Sequence, residues 1–241
     1  MMKVLVMSAA NVSALYILAA LLPALVLLNY VYRQDRVEKE PAGLLFSLLW
    51  QGVKAALAAI VLELIAESIL NRFFLPGSFL HTVLLAFLVV AAVEEGTKYY
   101  FLKRRTWKDP NFNYRFDAIV YAVFVSLGFA AFENVQYVFA YGLSVAVPRA
   151  LLSVPGHMVF SVYMGIHYGR ARLRENYGHH IAANAECKLA YWSAVLLHGI
   201  YDACAMLGTR KAMIVFFVFV IIVYSVTFRR LRKEADWDML V

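Results

Sequence analysis

Seven apolar runs, separated by shorter polar stretches, dominate the chain: 4–29, 43–65, 79–102, 118–141, 148–169, 189–208 and 212–228. A helix needs ~17–25 such residues to cross a bilayer. Each run therefore predicts a membrane-spanning helix, and together they predict an all-α polytopic bundle of about seven spans. The first run carries no charge from Val4 to Tyr32. It is too long for the apolar core of a cleaved signal peptide and lacks a strongly basic start, so it is read as a true span.

The polar stretches fix an orientation. Sixteen of the 23 lysines and arginines fall in the connections after runs one, three, five and seven, among them Lys103-Arg104-Arg105 and Arg229-Arg230. Five fall on the other side (Lys3, Arg72, Arg149, Arg210 and Lys211), and Lys54 and Lys98 lie within spans. Basic loops stay in the cytoplasm, so the N-terminus is expected outside and the C-terminus inside. The net charge of +7 is then a topology signal with some attraction for anionic lipid, and a nucleic-acid partner is not expected.

Composition narrows the class. The chain is 63% hydrophobic and 16% charged, against roughly half and a quarter in soluble domains. Disorder, collagen and an ordinary water-soluble enzyme are excluded. No long polar linker divides residues 1–241, so a single membrane domain is expected. Cys187 and Cys204 form no CxxC and are read as packing thiols. His179-His180 reads as a solvated pair in a polar loop.

What the composition does not explain is a set of ionisable groups inside the spans. A charged side chain at mid-bilayer costs at least ~2.5–3.5 kcal/mol on insertion scales. Span three nevertheless carries Glu94, Glu95 and Lys98; span four, Glu133; span five, His157; span six, His198 and Asp202. At ~1.5 Å rise per residue these lie about 12–24 Å from the cytoplasmic boundary, in the inner and middle leaflet. Facing lipid would be costly, so they are expected to converge on a wet interior cavity. Glu94 and Lys98 are i,i+4 and share a helix face, as do His198 and Asp202. Gly96, Gly156 and Gly199 sit beside them and permit close helix approach. Pro155 frees a backbone carbonyl near His157. Lys54 is expected to snorkel, and Glu63, Glu67 and His167 to be interfacial.

Carboxylates paired with histidines suit water activation, with a Glu as general base and His198 donating to a developing oxyanion. Alternatively, His157, His198 and Glu133 supply the two nitrogens and one carboxylate that catalytic zinc uses, leaving Glu94 or Glu95 as base. Each group also has a plainer structural role open to it: an ion pair for Glu94 with Lys98, an interhelical bond for Glu133, packing for His157, a structural pair for His198 with Asp202. A proton- or ion-coupled transporter using the same groups as a relay is the rival from another class, although no internal repeat supports it.

The motifs Glu94-Glu95-x-x-Lys98, Phe129-x-x-x-Glu133 and His198-x-x-x-Asp202, in that order within residues 85–205, resemble those of the PrsW family. The Asp117–Tyr121 entry to span four and Pro155-x-His157 share the resemblance. PrsW proteins are bacterial intramembrane proteases that make the first cut in an anti-sigma factor. They are similar in turn to the type II CAAX prenyl endopeptidases, whose pattern is EExxxR, FxxxH and HxxxN. The resemblance implies a catalytic core at about 79–208 in a multi-pass protein of the bacterial inner membrane, acting on a membrane-anchored protein. It implies Glu94 as the water-activating base, Glu133 in place of the first histidine, and His198 with Asp202 at the oxyanion positions. Processing of prenylated or bacteriocin-like peptides is the alternative use of that scaffold. The chain departs from the CAAX pattern at Lys98, one position early, at Glu133, and at Asp202, which replaces an asparagine. An ionised Asp202 cannot donate to an oxyanion, so orienting His198 or helping a cation become its options, and a divalent metal such as zinc is a candidate cofactor.

Overall fold

The computed structural model describes residues 9–241; positions 4–8 of the first expected span lie outside the described residues. Seven long helices follow one another: α1 (Ala9–Gln34), α2 (Ala42–Phe73), α3 (Phe79–Thr106), α4 (Asp117–Tyr141), α5 (Leu143–Asn176), α6 (His180–Leu207) and α7 (Arg210–Asp236). Among the described residues the one β feature is an isolated bridge between Tyr114 and Leu240. Five segments, Asn11–Gln34, Phe79–Thr106, Asp117–Tyr141, Leu143–Asn176 and Arg210–Asp236, are long and apolar enough to cross a membrane. The other two helices, α2 and α6, pack along α4 and α5. The apolar side chains left exposed along α1, α2 and α7, such as Leu18, Leu64 and Ile221, present the greasy outer surface that a lipid solvent requires.

The central helix is α4, buried continuously from Asp117 to Ala130. Small residues let its neighbours approach. A Cβ at Gly52 would lie 2.1 Å from the Val125 carbonyl, and one at Gly128 would lie 2.3 Å from the Leu49 carbonyl, so α2 and α4 cross backbone to backbone. Gly165 and Gly169 do the same for α5 against Ile119 and Arg115. These are small-xxx-small contacts, in which close packing replaces the missing hydrophobic drive between helices in lipid. Gly128→Val is expected to force α2 and α4 apart and to cost at least ~1–3 kcal/mol, the usual overpacking penalty. A lowered melting temperature in detergent checks it.

Two helices are locally widened to π geometry, Leu85–Ala91 in α3 and Arg149–Ser153 in α5. Such bulges re-aim side chains and recur at functional sites. The first ends three residues before Glu94 and holds Phe87 against Gly199 of α6, where an added Cβ would lie 2.3 Å from the ring. The second leads into Pro155 and His157.

At the end of the bundle rich in lysine and arginine, the C-terminal residues clasp the α3–α4 connection. Arg115 N donates to Met239 O (2.9 Å), Val241 N to Asn113 O (2.9 Å), and Phe116 N to Asp238 Oδ1 (2.8 Å). Beneath this clasp Asp35 and Glu40 are buried, the latter accepting from Tyr121 Oη (2.8 Å). Burial pushes the Asp35 carboxyl up to about 6 and the Glu40 carboxyl up to about 7. Both folded values lie above the unfolded ones, so their contribution is fully present below about pH 4 and is lost as pH rises through 6–7. Melting temperature is therefore expected to fall across that window. Asp35→Asn with Glu40→Gln should flatten the fall.

Candidate active site

The site begins with the turn of α3 that follows its π segment. Glu94, Glu95 and Lys98 are all buried there, on successive turns. The Lys98 ammonium is the hub: its Nζ lies 3.0 Å from Glu94 Oε2, 2.8 Å from Glu95 Oε1 and 3.1 Å from His157 Nδ1. It also sits 4.0 Å from the centre of the Phe129 ring, a favourable placement for a desolvated cation. Three N–H donors thus meet three acceptors on two helices.

Histidines from α5 and α6 close the centre. His198 Nδ1 lies 2.9 Å from Glu95 Oε1, and its Nε2 lies 3.2 Å from Asp202 Oδ2. His157 Nε2 lies 3.0 Å from Glu133 Oε2. The two rings are perpendicular at 5.4 Å, and Phe160 stacks on His198 at 4.9 Å. Each imidazole turns Nδ1 to the Glu94–Glu95–Lys98 centre and Nε2 to an outer carboxylate. Because Lys98 donates to Nδ1 of His157, the Nε2 of that ring carries its proton and donates to Glu133. His198 lies between two acceptors, so the Glu95–His198–Asp202 unit holds at least one proton beyond a neutral ring between two carboxylates.

A cavity of about 360 Å³ opens beside this centre, lined by Glu63, Glu94, Glu133, Arg149, His157, His198 and Asp202 together with apolar and aromatic side chains. Glu94 lines it and has only Oε2 engaged; Glu95 is fully buried behind, with Oε2 unpartnered. The wet space therefore reaches Glu94 first. The cavity extends toward the ends of α4 and α6 at Tyr137 and Met206.

The structure brings together all seven side chains that the sequence singled out, from α3, α4, α5 and α6. It adds two more. Arg149, counted in the sequence as an outer-loop charge, reaches in: its Nη2 lies 3.0 Å from Glu133 Oε2 and its Nε donates to Asn134 Oδ1 at 2.7 Å. Glu63, expected at the interface, lies in the cavity wall. A signal for Glu63 was present. Gly52, Ala55, Ala56 and Ala59 form the buried stripe of α2, and Glu63 continues it one turn on. Lys54 and Glu67 are exposed, and His167 bonds Glu186 at 2.7 Å. The carbonyl of Leu152, near Pro155, accepts from Tyr224 Oη on α7.

The residues also suit a metal ion in type and convergence. Glu94, Glu95, His157 and His198 each offer one donor atom, all within 4.8 Å of one another. Both imidazoles are backed by carboxylates on their far nitrogens, the arrangement that fixes metal-binding histidines. Glu133 touches the outer nitrogen of His157, not the centre. Lys98 already engages three of these four residues, Glu94, Glu95 and His157.

A membrane-embedded helical bundle with a buried carboxylate–imidazole centre opening on a polar cavity defines a class of intramembrane hydrolases. The family model described as PrsW family intramembrane metalloprotease matches residues 40–227. Proteins named Protease PrsW from Halalkalibacterium halodurans and Clostridioides difficile are each 30% identical over 220 residues, covering 91% and 90% of this chain and 97% and 90% of their own. One from Geobacillus kaustophilus is 33% identical over 76% of both chains. No solved structure matches the chain. The chain belongs to the PrsW family and is a multi-pass membrane protease.

Proposed function

We propose that the protein hydrolyses a peptide bond of a membrane-anchored protein by a water activated at Glu94, and that its substrate is an anti-sigma factor receiving its first cut. The observation that carries the chemistry is the paired imidazoles: each has Nδ1 at the Glu94–Glu95–Lys98 centre and Nε2 on a carboxylate. That geometry fixes ring orientation and leaves Glu94 Oε1 facing the cavity. The anti-sigma substrate rests on the motif resemblance, and the bacterial inner membrane on the bacterial relatives. With the N-terminus outside, the cavity end of the bundle is the outer one, and residues 79–208 form the catalytic core.

In the reaction, Glu94 takes a proton from water as the water oxygen attacks the scissile carbonyl carbon. The proton shared by Glu95, His198 and Asp202 then passes from His198 to the departing amide nitrogen as the C–N bond breaks. The products are a carboxylic acid and an amine, and the proton left on Glu94 returns to the Glu95–His198–Asp202 unit through cavity water, which restores the starting state. Asp202 thus serves by holding the His198 proton, which removes the need for it to donate to an oxyanion directly. Arg149 and His157 hold Glu133 against the cavity wall. Glu94, Glu95, His157 and His198 would hold a divalent metal, which when bound supplies Lewis-acid polarisation of water or carbonyl.

The test is purified protein in liposomes with a single-pass tethered reporter, its products mapped by mass spectrometry. A discrete cut near the membrane boundary on the cavity side supports the reading. Cutting confined to prenylated peptides, or none at all, overturns it. Metal content of the active protein decides the cofactor.

A further inference from the structure

Five carboxylates line or abut the cavity: Glu63, Glu94, Glu95, Glu133 and Asp202. Four have partners. Glu94 and Glu95 bond Lys98, Glu133 bonds Arg149 and His157, and Asp202 bonds His198. Glu63 has none among the described residues: its Oε1 is buried and without a hydrogen bond. The charged groups facing it are Glu94, Glu133, Lys98 and His198, and both cations among these are already committed to other carboxylates. Glu63 is part-buried with Oε1 sealed from solvent; an unpaired buried acceptor is costly, and a donor arriving in the cavity would relieve that cost.

We propose that Glu63 is a specificity-determining residue that receives a basic side chain, lysine or arginine, of the protein substrate. This deepens the protease reading and rests on it. A substrate segment lying in the cavity passes between Glu94 on α3 and the α2 wall, and α2 offers it Ala56, Ala59 and Ile60 as apolar surface with Glu63 as its one charge. A cationic side chain there completes the charge complement of the cavity. Lys98 is held by Glu94 and Glu95, and Arg149 by its ion pair to Glu133, its Nε on Asn134 and its guanidinium over the Tyr137 ring, so both cations are engaged elsewhere. The bond formed is charge-assisted, the stronger kind.

The experiment uses the full-length protein in liposomes and a library of single-pass reporters whose twelve residues around the membrane boundary are randomised. Cut sites are sequenced, and kcat/KM is then measured on chosen basic and neutral members. The wild type is expected to favour a lysine or arginine at one fixed distance from the cut, by about tenfold to a hundredfold over a neutral residue. Glu63→Gln, nearly isosteric, should remove most of that ratio, and Glu63→Lys should shift the preference to Asp or Glu. An unchanged basic preference in Glu63→Gln, or none in the wild type, overturns the assignment while the protease reading stands. A wild type that cuts no library member defeats the protease reading, and this inference falls with it.

Discussion

Glu94→Ala, Glu95→Ala and His198→Ala each lower reporter cleavage by about a thousandfold, with the protein still inserted at wild-type level. General acid–base groups contribute ~10²–10⁴ in rate, and each variant removes a different part of one relay. Glu94 is the carboxylate that the cavity reaches, so its loss removes the acceptor for the water proton. Glu95 is sealed behind it, bonded to both Lys98 and His198. Its loss lets the His198 ring turn and unbalances Lys98. The two are separable. Glu94→Gln keeps the Lys98 contact and the fold but removes the base, so kcat collapses while KM changes little. Glu95→Gln leaves the base in place and perturbs proton delivery, so the pH–rate profile should lose its alkaline limb before kcat is fully lost. Full activity in the Glu94→Ala/Glu95→Ala double variant, measured with purified protein, would reject the site.

The sequence made this centre legible because lipid leaves few excuses for ionisable groups: seven of them inside four spans had to share a space. Order and spacing then matched a family, and the same seven side chains meet in the fold. The helix ends were less legible. Hydropathy stops where the hydrocarbon stops, whereas the helical hydrogen-bond ladder does not. Residues 180–188 are polar in sequence yet form the first turns of α6, held by Glu186 bonding His167 and Arg174 of α5. Arg149 was hidden for a related reason. As a lone arginine beside Pro148 it counted as a loop charge, and only the π turn of α5 aims it at Glu133. The set of groups able to share an ion was also invisible. The sequence reading put Glu133 with the two histidines and left Glu94 or Glu95 as base, whereas packing places Glu133 on the outer nitrogen of His157 and groups Glu94 and Glu95 with the two rings.

The second large effect is on stability, and it follows from the hub. Lys98→Met leaves Glu94 and Glu95 buried beside one another with the central cation gone. Breaking a buried ion pair from one side costs ~3–5 kcal/mol, which for a chain of this size lowers the melting temperature by about 6–20 °C. The variant also takes the ammonium away from Glu94, Glu95 and His157, three of the four residues that could hold a metal, while Glu95 Oε1 keeps its contact with His198. A divalent cation added to Lys98→Met should therefore restore much of the lost stability and bind more tightly than to the wild type, because it no longer competes with an ammonium already in place. Melting curves in detergent with and without zinc, together with bound metal per chain, read both effects. Equal zinc affinity in wild type and variant would show that Lys98 and the metal use different atoms. A variant as stable as wild type without metal would show that the two carboxylates never depended on the lysine.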